Sequence, residues 1–354
     1  MKNVKVSSFV QEKNEQPVSA GLMACNYYFD ADFSYLEQLT SKDKTIIITD
    51  ENVMLARPGL FTGWKTLLIK AGEENKQHQA IDYVMQQLIE MGADRDTFII
   101  GVGGGVVTDI TGFAASIYMR GLRLGFVPSS ILGMVDASIG GKNGVDVGMY
   151  KNMVGLIRQP EFLLYDYSLL DTLPQEEWVN GFAEIIKHGC IKDANLFSFL
   201  EQHELEDFKT NKLLLAELIE KNVAIKTKVV LEDEFEQGDR KMLNFGHTIG
   251  HAIENLYQLP HGHAVSIGMV AACTFSEEIN GFESEQKQRV INLIKKYQLP
   301  VNIEFDKQAM WELLLKDKKR VNDFMNFILL NKIGEAIIQP IPLVQLENMI
   351  SQNL

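Results

Sequence analysis

The chain has few cysteines, no long apolar run and no excess of basic residues. Its 354 residues include only three cysteines, far apart, which excludes a disulfide framework or a cysteine zinc site and predicts free thiols in a reducing cytoplasm. No stretch of about 18 uncharged apolar residues is present, so we expect no membrane-spanning helix. The N-terminal residues also lack the apolar core of a signal peptide. The net charge of −13 disfavours a general role in binding nucleic acid.

What remains is typical of a globular protein with two domains. Hydrophobic residues make up 46% of the chain and charged residues 23%, and the length exceeds that of one ordinary core. In the first half, aliphatic runs alternate with helical patterns, which predicts a parallel sheet covered by helices. The predicted strands are 44–50, 66–70, 96–105 and 122–128, and the predicted helices are 76–92 and 106–121. Helical patterns dominate after 171–174. We therefore expect an α/β domain over 1–172 and a mainly α-helical domain over 173–354.

A glycine-rich turn is predicted between a strand and a helix at Gly103–Gly105. Glycines allow a close backbone approach, and the following helix N-terminus offers N–H groups to a pyrophosphate. Two earlier predicted strands end in polar residues, Asp50 and Asn52 after the first and Glu73 and Lys76 after the second. Strand-end acids and amides can hold ribose hydroxyls. The pattern favours a dinucleotide site, and a tight turn without a ligand is the alternative.

Four of the seven histidines lie in one stretch, RKMLNFGHTIGHAIENLYQLPHGHAVS at 240–266. If 240–254 is one continuous helix, five polar side chains fall within a sector of about 80°. They are Arg240, Asn244, His247, His251 and Glu254. A solvent-exposed helix face is usually rich in lysine and glutamate, so two histidines there favour a metal or catalytic role. The spacing resembles the HExxH motif of zinc proteases, but Thr248 occupies the glutamate position.

Two histidines do not complete a metal site, because a catalytic zinc commonly has three protein ligands. The PHGH stretch supplies His261 and His263 as further candidates. Glu184 could supply a carboxylate, since it precedes Lys187 by one turn in an otherwise apolar helical segment. A surface ion pair is the simpler explanation of that glutamate and lysine. The pattern alone leaves open which residues bind the metal.

Six stretches together resemble the 3-dehydroquinate synthase family. They are GGGVVTDITGFAASIYMRG, VDASIGGKNGVD, KNMVG, DTLPQEEWVNGFAEIIKHG, LEDEFEQGDRKMLNFGHTIGHAIE and HGHAVSIGM. The resemblance implies a Rossmann-like N-terminal domain that binds NAD and a helical C-terminal domain that binds a divalent metal, zinc or cobalt. It also implies a homodimer and an anionic sugar phosphate as substrate.

The resemblance carries specific residues over to this chain. The implied metal ligands are Glu184, His247 and His261. The implied substrate-pocket and catalytic residues are Lys142, Asn152, Lys187, Lys226, Arg240, Asn244, His251 and Lys318, with Arg120 reaching the site of a neighbouring subunit. The implied cofactor-binding residues are Asp50, Asn52, Glu73, Lys76, Gly104, Gly105, Val106, Asp109, Ser129, Ser130, Asp136, Lys142, Lys151 and Thr172.

The implied reaction converts 3-deoxy-D-arabino-heptulosonate 7-phosphate into 3-dehydroquinate and phosphate. NAD⁺ takes a hydride from the C5 hydroxyl, the resulting ketone acidifies the C6 proton so that phosphate leaves, and the hydride returns before ring opening and aldol closure. Three alternatives stay open. They are a related cyclase of the 2-deoxy-scyllo-inosose or 2-epi-5-epi-valiolone synthase type, a glycerol-dehydrogenase-like oxidoreductase and a non-catalytic binding module.

His263 departs from the family pattern, which has glutamate at this position. A histidine there could compete with His261 as a metal ligand. We expect it instead to pack beside the site, because the ligand role belongs to the first histidine of the motif.

Overall fold

The computed structural model describes residues 2–5, 25–148, 150–315 and 319–353. They form two compact units. The first contains the described residues up to Pro174 together with Leu215–Lys228, and the second contains Gln175–Leu214 and the described residues from Val229 onward. The division after Pro174 lies close to the predicted boundary. The sequence did not predict that 215–228 join the first unit, where Lys226 and Thr227 hydrogen-bond to Asp136 and Tyr27.

A seven-stranded sheet organises the first unit. Its strands are β1 (Lys2–Lys5), β2 (Asn26–Phe29), β3 (Thr45–Asp50), β4 (Lys65–Ile69), β5 (Phe98–Gly103), β6 (Arg123–Pro128) and β9 (Phe162–Tyr165). Their order is β1-β2-β9-β6-β5-β3-β4, with β1 antiparallel to β2 and the other neighbours parallel. The predicted parallel sheet is therefore confirmed. The strands β2 and β9 were missed because four residues give too short a pattern to recognise.

Helices and a hairpin complete the first unit. The helices are α1 (Leu36–Leu39), α2 (Glu51–Ala56), α3 (His78–Glu90) and α4 (Gly105–Ile117), and the hairpin strands are β7 (Lys142–Val147) and β8 (Tyr150–Ile157). Apolar residues repeat at helical spacing in α3, where Ile81, Val84 and Leu88 are buried. The central strand β5 is buried along its whole length, as expected for a strand covered on both faces.

The second unit is mainly helical, as predicted. Its helices are α5 (Gln175–Lys192), α6 (Ala194–Gln202), α7 (Leu205–Thr210), α9 (His247–Tyr257), α10 (His261–Asn280), α11 (Ser284–Lys296), α12 (Lys307–Leu314) and α13 (Leu343–Asn353), while α8 (Lys212–Glu232) also supplies 215–228 to the first unit. A three-stranded sheet of β10 (Arg320–Val321), β11 (Phe324–Lys332) and β12 (Glu335–Pro342) packs on α10. Within the described residues, no helix combines the length and apolar character that crossing a membrane requires.

Candidate cofactor and metal sites

The glycine turn lies where the sheet of the first unit changes direction. After β3 the chain continues outward to β4 and then returns to the other side of β3 as β5. Asp50 ends β3 and Gly103 ends β5, so both are at the carboxyl edge of adjacent parallel strands. Ligands of open α/β sheets bind at such switch points. The fold therefore provides a nucleotide-binding geometry at the predicted place.

The turn itself is tightly packed. A β-carbon at Gly104 would lie 3.3 Å from Ser130 Oγ, and one at Gly105 would lie 3.1 Å from Ala137 Cβ. Helix α4 begins at Gly105, and its first turn includes Val106. Amide N–H groups in the first turn of a helix lack intrahelical partners and attract anions. The close packing of this turn keeps those groups in place for a phosphate.

Several predicted cofactor residues form one charged network in the first unit. The ammonium of the buried Lys76 contacts Asp109 Oδ2 at 2.5 Å and Asn152 Oδ1 at 2.7 Å. Lys151 Nζ contacts Glu73 Oε1 at 3.0 Å, and the same glutamate oxygen lies 3.9 Å from Lys76. Burial raises the pKa of Asp109 to about 6 although Lys76 opposes that change, and the pKa of Lys76 is itself raised by the acids around it despite burial. Each partner of the Lys76–Asp109 pair therefore favours the charged form of the other.

Replacing Lys76 with methionine should destabilise the protein, because it leaves Asp109 buried without a counter-charge. We expect the free energy of unfolding to fall by about 3 to 5 kcal/mol at pH 8. Lys76 acts to lower the pKa of Asp109, so without it that pKa should lie above its wild-type value of about 6. The loss should therefore shrink as the pH falls from 8 toward 6 and be small below that, where Asp109 is protonated in both proteins. Urea unfolding at pH 8 and pH 5 measures both effects.

The control for that experiment is Lys44→Met, whose exposed lysine lies 3.8 Å from the exposed Asp96. An exposed pair contributes little, so this variant should unfold like the wild type at both pH values. Adding Asp109→Asn to Lys76→Met should recover most of the loss. If Lys76→Met alone unfolded like the wild type, the buried pair would not matter to stability.

The remaining predicted residues of the first unit make separate contacts or are exposed. Lys226 is buried, and its ammonium contacts Asp136 Oδ1 at 2.8 Å and the Asp136 carbonyl oxygen at 2.5 Å. Ser129 donates its backbone N–H to Gly103 O at 2.9 Å, and Ser130 Oγ accepts one from Gly133 at 3.1 Å. Three further predicted residues, Arg120, Lys142 and Thr172, have exposed side chains.

Three side chains converge in the second unit at the predicted metal site. Glu184 on α5 is fully buried, and its Oε1 lies 3.5 Å from His247 Nε2 at the start of α9 and 3.2 Å from His261 Nε2 at the start of α10. One ligand atom from each residue lies within 4.8 Å of the others. Two imidazole nitrogens and a carboxylate oxygen are a donor set that suits zinc and similar divalent metals. The arrangement fits the metal that the sequence predicts.

The imidazole rings are oriented through their other nitrogens. His247 Nδ1 lies 3.1 Å from the Phe245 carbonyl oxygen, and His261 Nδ1 lies 3.4 Å from Glu254 Oε2. If Nδ1 donates in each case, Nε2 keeps a lone pair for a cation. Burial and the nearby Lys187 lower the pKa of His247 to about 3, which favours its neutral form. Burial also acts to lower the pKa of His261, but Glu184 and Glu254 raise it to about 10, which shows how anionic its surroundings are.

Two other predicted residues flank the three. The Lys187 ammonium forms an ion pair with Glu184 Oε2, and both side chains are almost completely buried. A surface ion pair, the simpler alternative, is therefore wrong. His251 lies one turn after His247 on α9, with ring centroids 5.1 Å apart. It also groups with Glu254 and His261 as a second set of atoms that could hold a cation.

The single helix assumed for 240–254 is wrong. A 3-10 helix covers Asp239–Asn244, and α9 begins only at His247. Gly246 between them has φ of 79°, and a β-carbon there would come within 2.8 Å of the Val265 carbonyl oxygen on α10. This close approach and the positive φ both need glycine. Only His247, His251 and Glu254 share a helix, so Arg240 and Asn244 are positioned separately.

A loop after α8 positions Arg240 and Asn244. Asp233 accepts the backbone N–H groups of Gln237, Gly238 and Arg240 at 2.7 to 3.0 Å. The Arg240 side chain is 1% exposed, and its Nη1 donates to the Glu234 carbonyl oxygen. Asn244 Nδ2 donates to Glu236 Oε1 at 2.6 Å. Asp233 and Glu236 were not predicted from the sequence, although both lie in the LEDEFEQGD stretch just before Arg240.

His263 is placed away from the three metal candidates. It is half-buried on α10, about 200° around the helix from His261. Burial lowers its pKa while Glu176 acts to raise it. Among the described residues it belongs to none of the groups that could hold a metal. Lys318, predicted to contact phosphate, lies outside the described residues.

Comparison with known proteins gives a consistent result over most of the chain. Family profiles described as 3-dehydroquinate synthase N-terminal and 3-dehydroquinate synthase C-terminal match residues 66–180 and 181–320. A 3-dehydroquinate synthase from Sulfolobus acidocaldarius is 37% identical over 329 residues, which covers 91% of this chain and 93% of that protein. One from Thermodesulfovibrio yellowstonii is 40% identical over 277 residues and covers 77% of each chain.

Solved structures show the same fold. The 2-epi-5-epi-valiolone synthase of Streptomyces hygroscopicus, with NAD⁺ and Zn²⁺ bound, gives a TM-score of 0.86 at 24% identity and covers 95% of this chain and 98% of its own. A 2-deoxy-scyllo-inosose synthase in complex with carbaglucose-6-phosphate, NAD⁺ and Co²⁺ gives a TM-score of 0.79 at 24% identity, covering 94% and 97%. At this identity the similarity establishes the fold alone.

Proposed function

The chain belongs to the 3-dehydroquinate synthase family, and from this premise we propose that it converts 3-deoxy-D-arabino-heptulosonate 7-phosphate into 3-dehydroquinate and phosphate. The observation that carries the proposal is the convergence of two histidines on one oxygen of the buried Glu184. Other cyclases share this fold, so the fold does not identify the reaction. The residues around Glu184 are what favour the proposed one.

We propose that Glu184, His247 and His261 hold a divalent metal and that the glycine turn of the first unit holds NAD. The residues offered to the cofactor are Asp50, Asn52, Glu73, Lys76, Gly104, Gly105, Val106, Asp109, Ser129, Ser130, Asp136, Lys142, Lys151 and Thr172. When bound, NAD⁺ accepts and returns a hydride, and the metal supplies Lewis acidity. Zinc and cobalt both suit the donor set, and the similar cyclases are described with one or the other.

The remaining residues act on the substrate directly. Arg240 offers a guanidinium and Asn244 an amide, which suit a carboxylate. Phosphate and hydroxyl oxygens of the substrate can accept hydrogen bonds from four ammonium groups and one amide. The ammonium groups are those of Lys142, Lys187, Lys226 and Lys318, and the amide is that of Asn152. His251 is an imidazole close to His247 and His261, and an imidazole there can act as a general acid or base. Such a set matches a substrate with a carboxylate at one end and a phosphate at the other.

We also propose a homodimer in the cytoplasm. Arg120 follows Met119 in a turn where both have positive φ, 68° and 48°, and its exposed side chain could reach a second subunit. The three cysteines are all buried and unpaired, which suits a reducing compartment.

An assay with purified protein, NAD⁺, zinc or cobalt and the heptulosonate phosphate tests the proposed reaction. We expect stoichiometric release of phosphate with no net change in absorbance at 340 nm, because the hydride returns to the substrate. NADH that accumulates with a polyol would favour the glycerol-dehydrogenase alternative. Phosphate release only from a sugar phosphate without a carboxylate would favour the related cyclases. Without any turnover on these compounds, the proposed reaction would be wrong.

A further inference from the structure

We propose that Asp146 is a positioning residue that holds Asn152 in the orientation in which it can bind the substrate. The proposal rests on the proposed function, because the substrate role of Asn152 does. Asp146 is the last residue of the VDASIGGKNGVD stretch, but no role was predicted for it from the sequence. It contacts the charged network of the first unit, since its Oδ2 lies 3.8 Å from Lys151 Nζ, but neither the spacing of residues nor the family resemblance assigned it.

Asn152 has a left-handed backbone conformation, which asparagine tolerates better than most residues but does not prefer over the ordinary regions. Its φ is 53°, in the left-handed region where a residue with a β-carbon costs roughly 1 kcal/mol or more. It lies in β8 opposite an irregularity of the β7–β8 pairing, between the pairs Val145↔Val154 and Val147↔Tyr150. Bulges of this kind redirect one side chain and occur often beside active sites. The conformation persists only because neighbouring groups hold it.

Asp146 supplies the group that holds the backbone. Its Oδ1 accepts the N–H of Asn152 at 2.6 Å, and its side chain is 8% exposed. A hydrogen bond to a carboxylate is about twice as strong as one between neutral groups, and this one is largely shielded from water. The backbone N–H of Asp146 in turn donates to the Lys76 carbonyl oxygen at 2.8 Å. Asp146 is thus fixed to the segment that carries Lys76.

Lys76 fixes the Asn152 side chain and so completes a closed set of hydrogen bonds among Lys76, Asp146 and Asn152. Its ammonium donates to Asn152 Oδ1 at 2.7 Å. Because an ammonium has only donors, the amide oxygen must face Lys76 and the amide NH₂ must face away. The Asn152 side chain is exposed apart from this contact. It therefore presents two N–H donors outward, which suits a phosphate, carboxylate or hydroxyl oxygen of a ligand.

The hydrogen bonds among Lys76, Asp146 and Asn152 also connect predicted cofactor residues to Asn152, a predicted substrate residue. Lys76 pairs with Asp109. Lys151, which precedes Asn152 in β8, has its Nζ 3.0 Å from Glu73 Oε1 and 3.8 Å from Asp146 Oδ2. Loss of the Asp146 carboxylate should therefore free the backbone at Asn152 and misdirect its amide. It should leave the metal residues of the other unit untouched.

The test compares four variants with the wild-type holoenzyme: Asp146→Ala, Asp146→Asn, Asn152→Gly and the double variant Asp146→Ala/Asn152→Gly. Asp146→Ala should raise the KM for the heptulosonate phosphate about tenfold or more, with a smaller change in kcat. Asp146→Asn keeps an oxygen that can accept the same N–H, so it should recover part of that loss. In the Asn152→Gly background, Asp146→Ala should change KM by less than about twofold, since glycine adopts positive φ unaided and has no amide to aim.

Hydrogen exchange gives a second readout that does not depend on turnover. In Asp146→Ala the peptide containing Asn152 should exchange faster by about tenfold or more, since its N–H loses a charged acceptor. Asp82→Ala, an exposed aspartate on α3, is the control and should match the wild type in exchange and KM. Equal KM effects of Asp146→Ala in both backgrounds would overturn the proposal, as would unchanged exchange at Asn152. A wild type without turnover would instead contradict the proposed function. The exchange measurement would still test the hydrogen bond between the Asn152 N–H and Asp146 Oδ1.

Discussion

His261→Ala should remove most of the bound divalent metal, whereas His263→Ala should retain it. His261 Nε2 lies 3.2 Å from Glu184 Oε1 and within the group of three ligand atoms, while His263 is about 200° away around α10. Loss of a group that only hydrogen-bonds to a metal ligand weakens metal affinity by about 10- to 100-fold. Loss of the ligand itself should weaken it by more than that. Competition with a chromophoric chelator measures the affinity, and elemental analysis measures the content.

The two variants are matched controls, because both truncate a histidine in the first turn of the same helix. His261→Ala should also lose turnover in proportion to the lost metal, and added zinc or cobalt should recover some of it. His263→Ala should turn over like the wild type. If the two variants lost metal equally, the assignment of His261 rather than His263 as the ligand would be wrong. The replacement of the family's glutamate by His263 would then bear on metal binding.

The parallel sheet and the helical second unit followed from the sequence because their patterns are long or repeated. The aliphatic run at 44–50 and the predicted strand 96–105 with its glycine turn indicated two strands and a helix start, and β3, β5 and α4 confirm them. The short strands β2 and β9 gave no comparable signal. Their place in the sheet depends on pairing between residues more than 130 positions apart, such as Asn26 and Phe162. Local periodicity carries no information about such pairs.

A metal site in the second domain was predicted from residue types and its ligands from the family resemblance, but its geometry was not predicted. Helical arithmetic placed Arg240 on the same face as His247, and it failed because Gly246 breaks the helix. The need for glycine there comes from contact with α10, which no local pattern shows. Asp233 and Asp146 were missed for the same reason. Each acts by accepting backbone N–H groups, and that role depends on how a loop or a hairpin folds rather than on the spacing of residues.

Arg240→Ala should impair use of the carboxylated substrate far more than it affects metal binding. A guanidinium that pairs with a carboxylate makes charge-assisted hydrogen bonds, so we expect kcat/KM for the heptulosonate phosphate to fall by about 100-fold or more. An analogue with a hydroxymethyl group in place of the carboxylate should lose much less, since it offers no charge to Arg240. Metal content should stay at the wild-type level, because Arg240 lies outside the groups of atoms that could hold a cation among the described residues.

The controls must separate recognition from folding, since the Arg240 side chain is 1% exposed and is bound to the Glu234 carbonyl oxygen. Arg240→Lys keeps a positive charge but loses the planar fork, so it should recover only part of the activity. Arg289→Ala, which removes a partly exposed arginine paired with Glu201, should behave like the wild type. Thermal unfolding of each variant identifies any that fails to fold. A folded Arg240→Ala with normal turnover of the carboxylated substrate would mean that another group binds the carboxylate. The distinction from cyclases whose substrates lack that group would then have to rest on other residues.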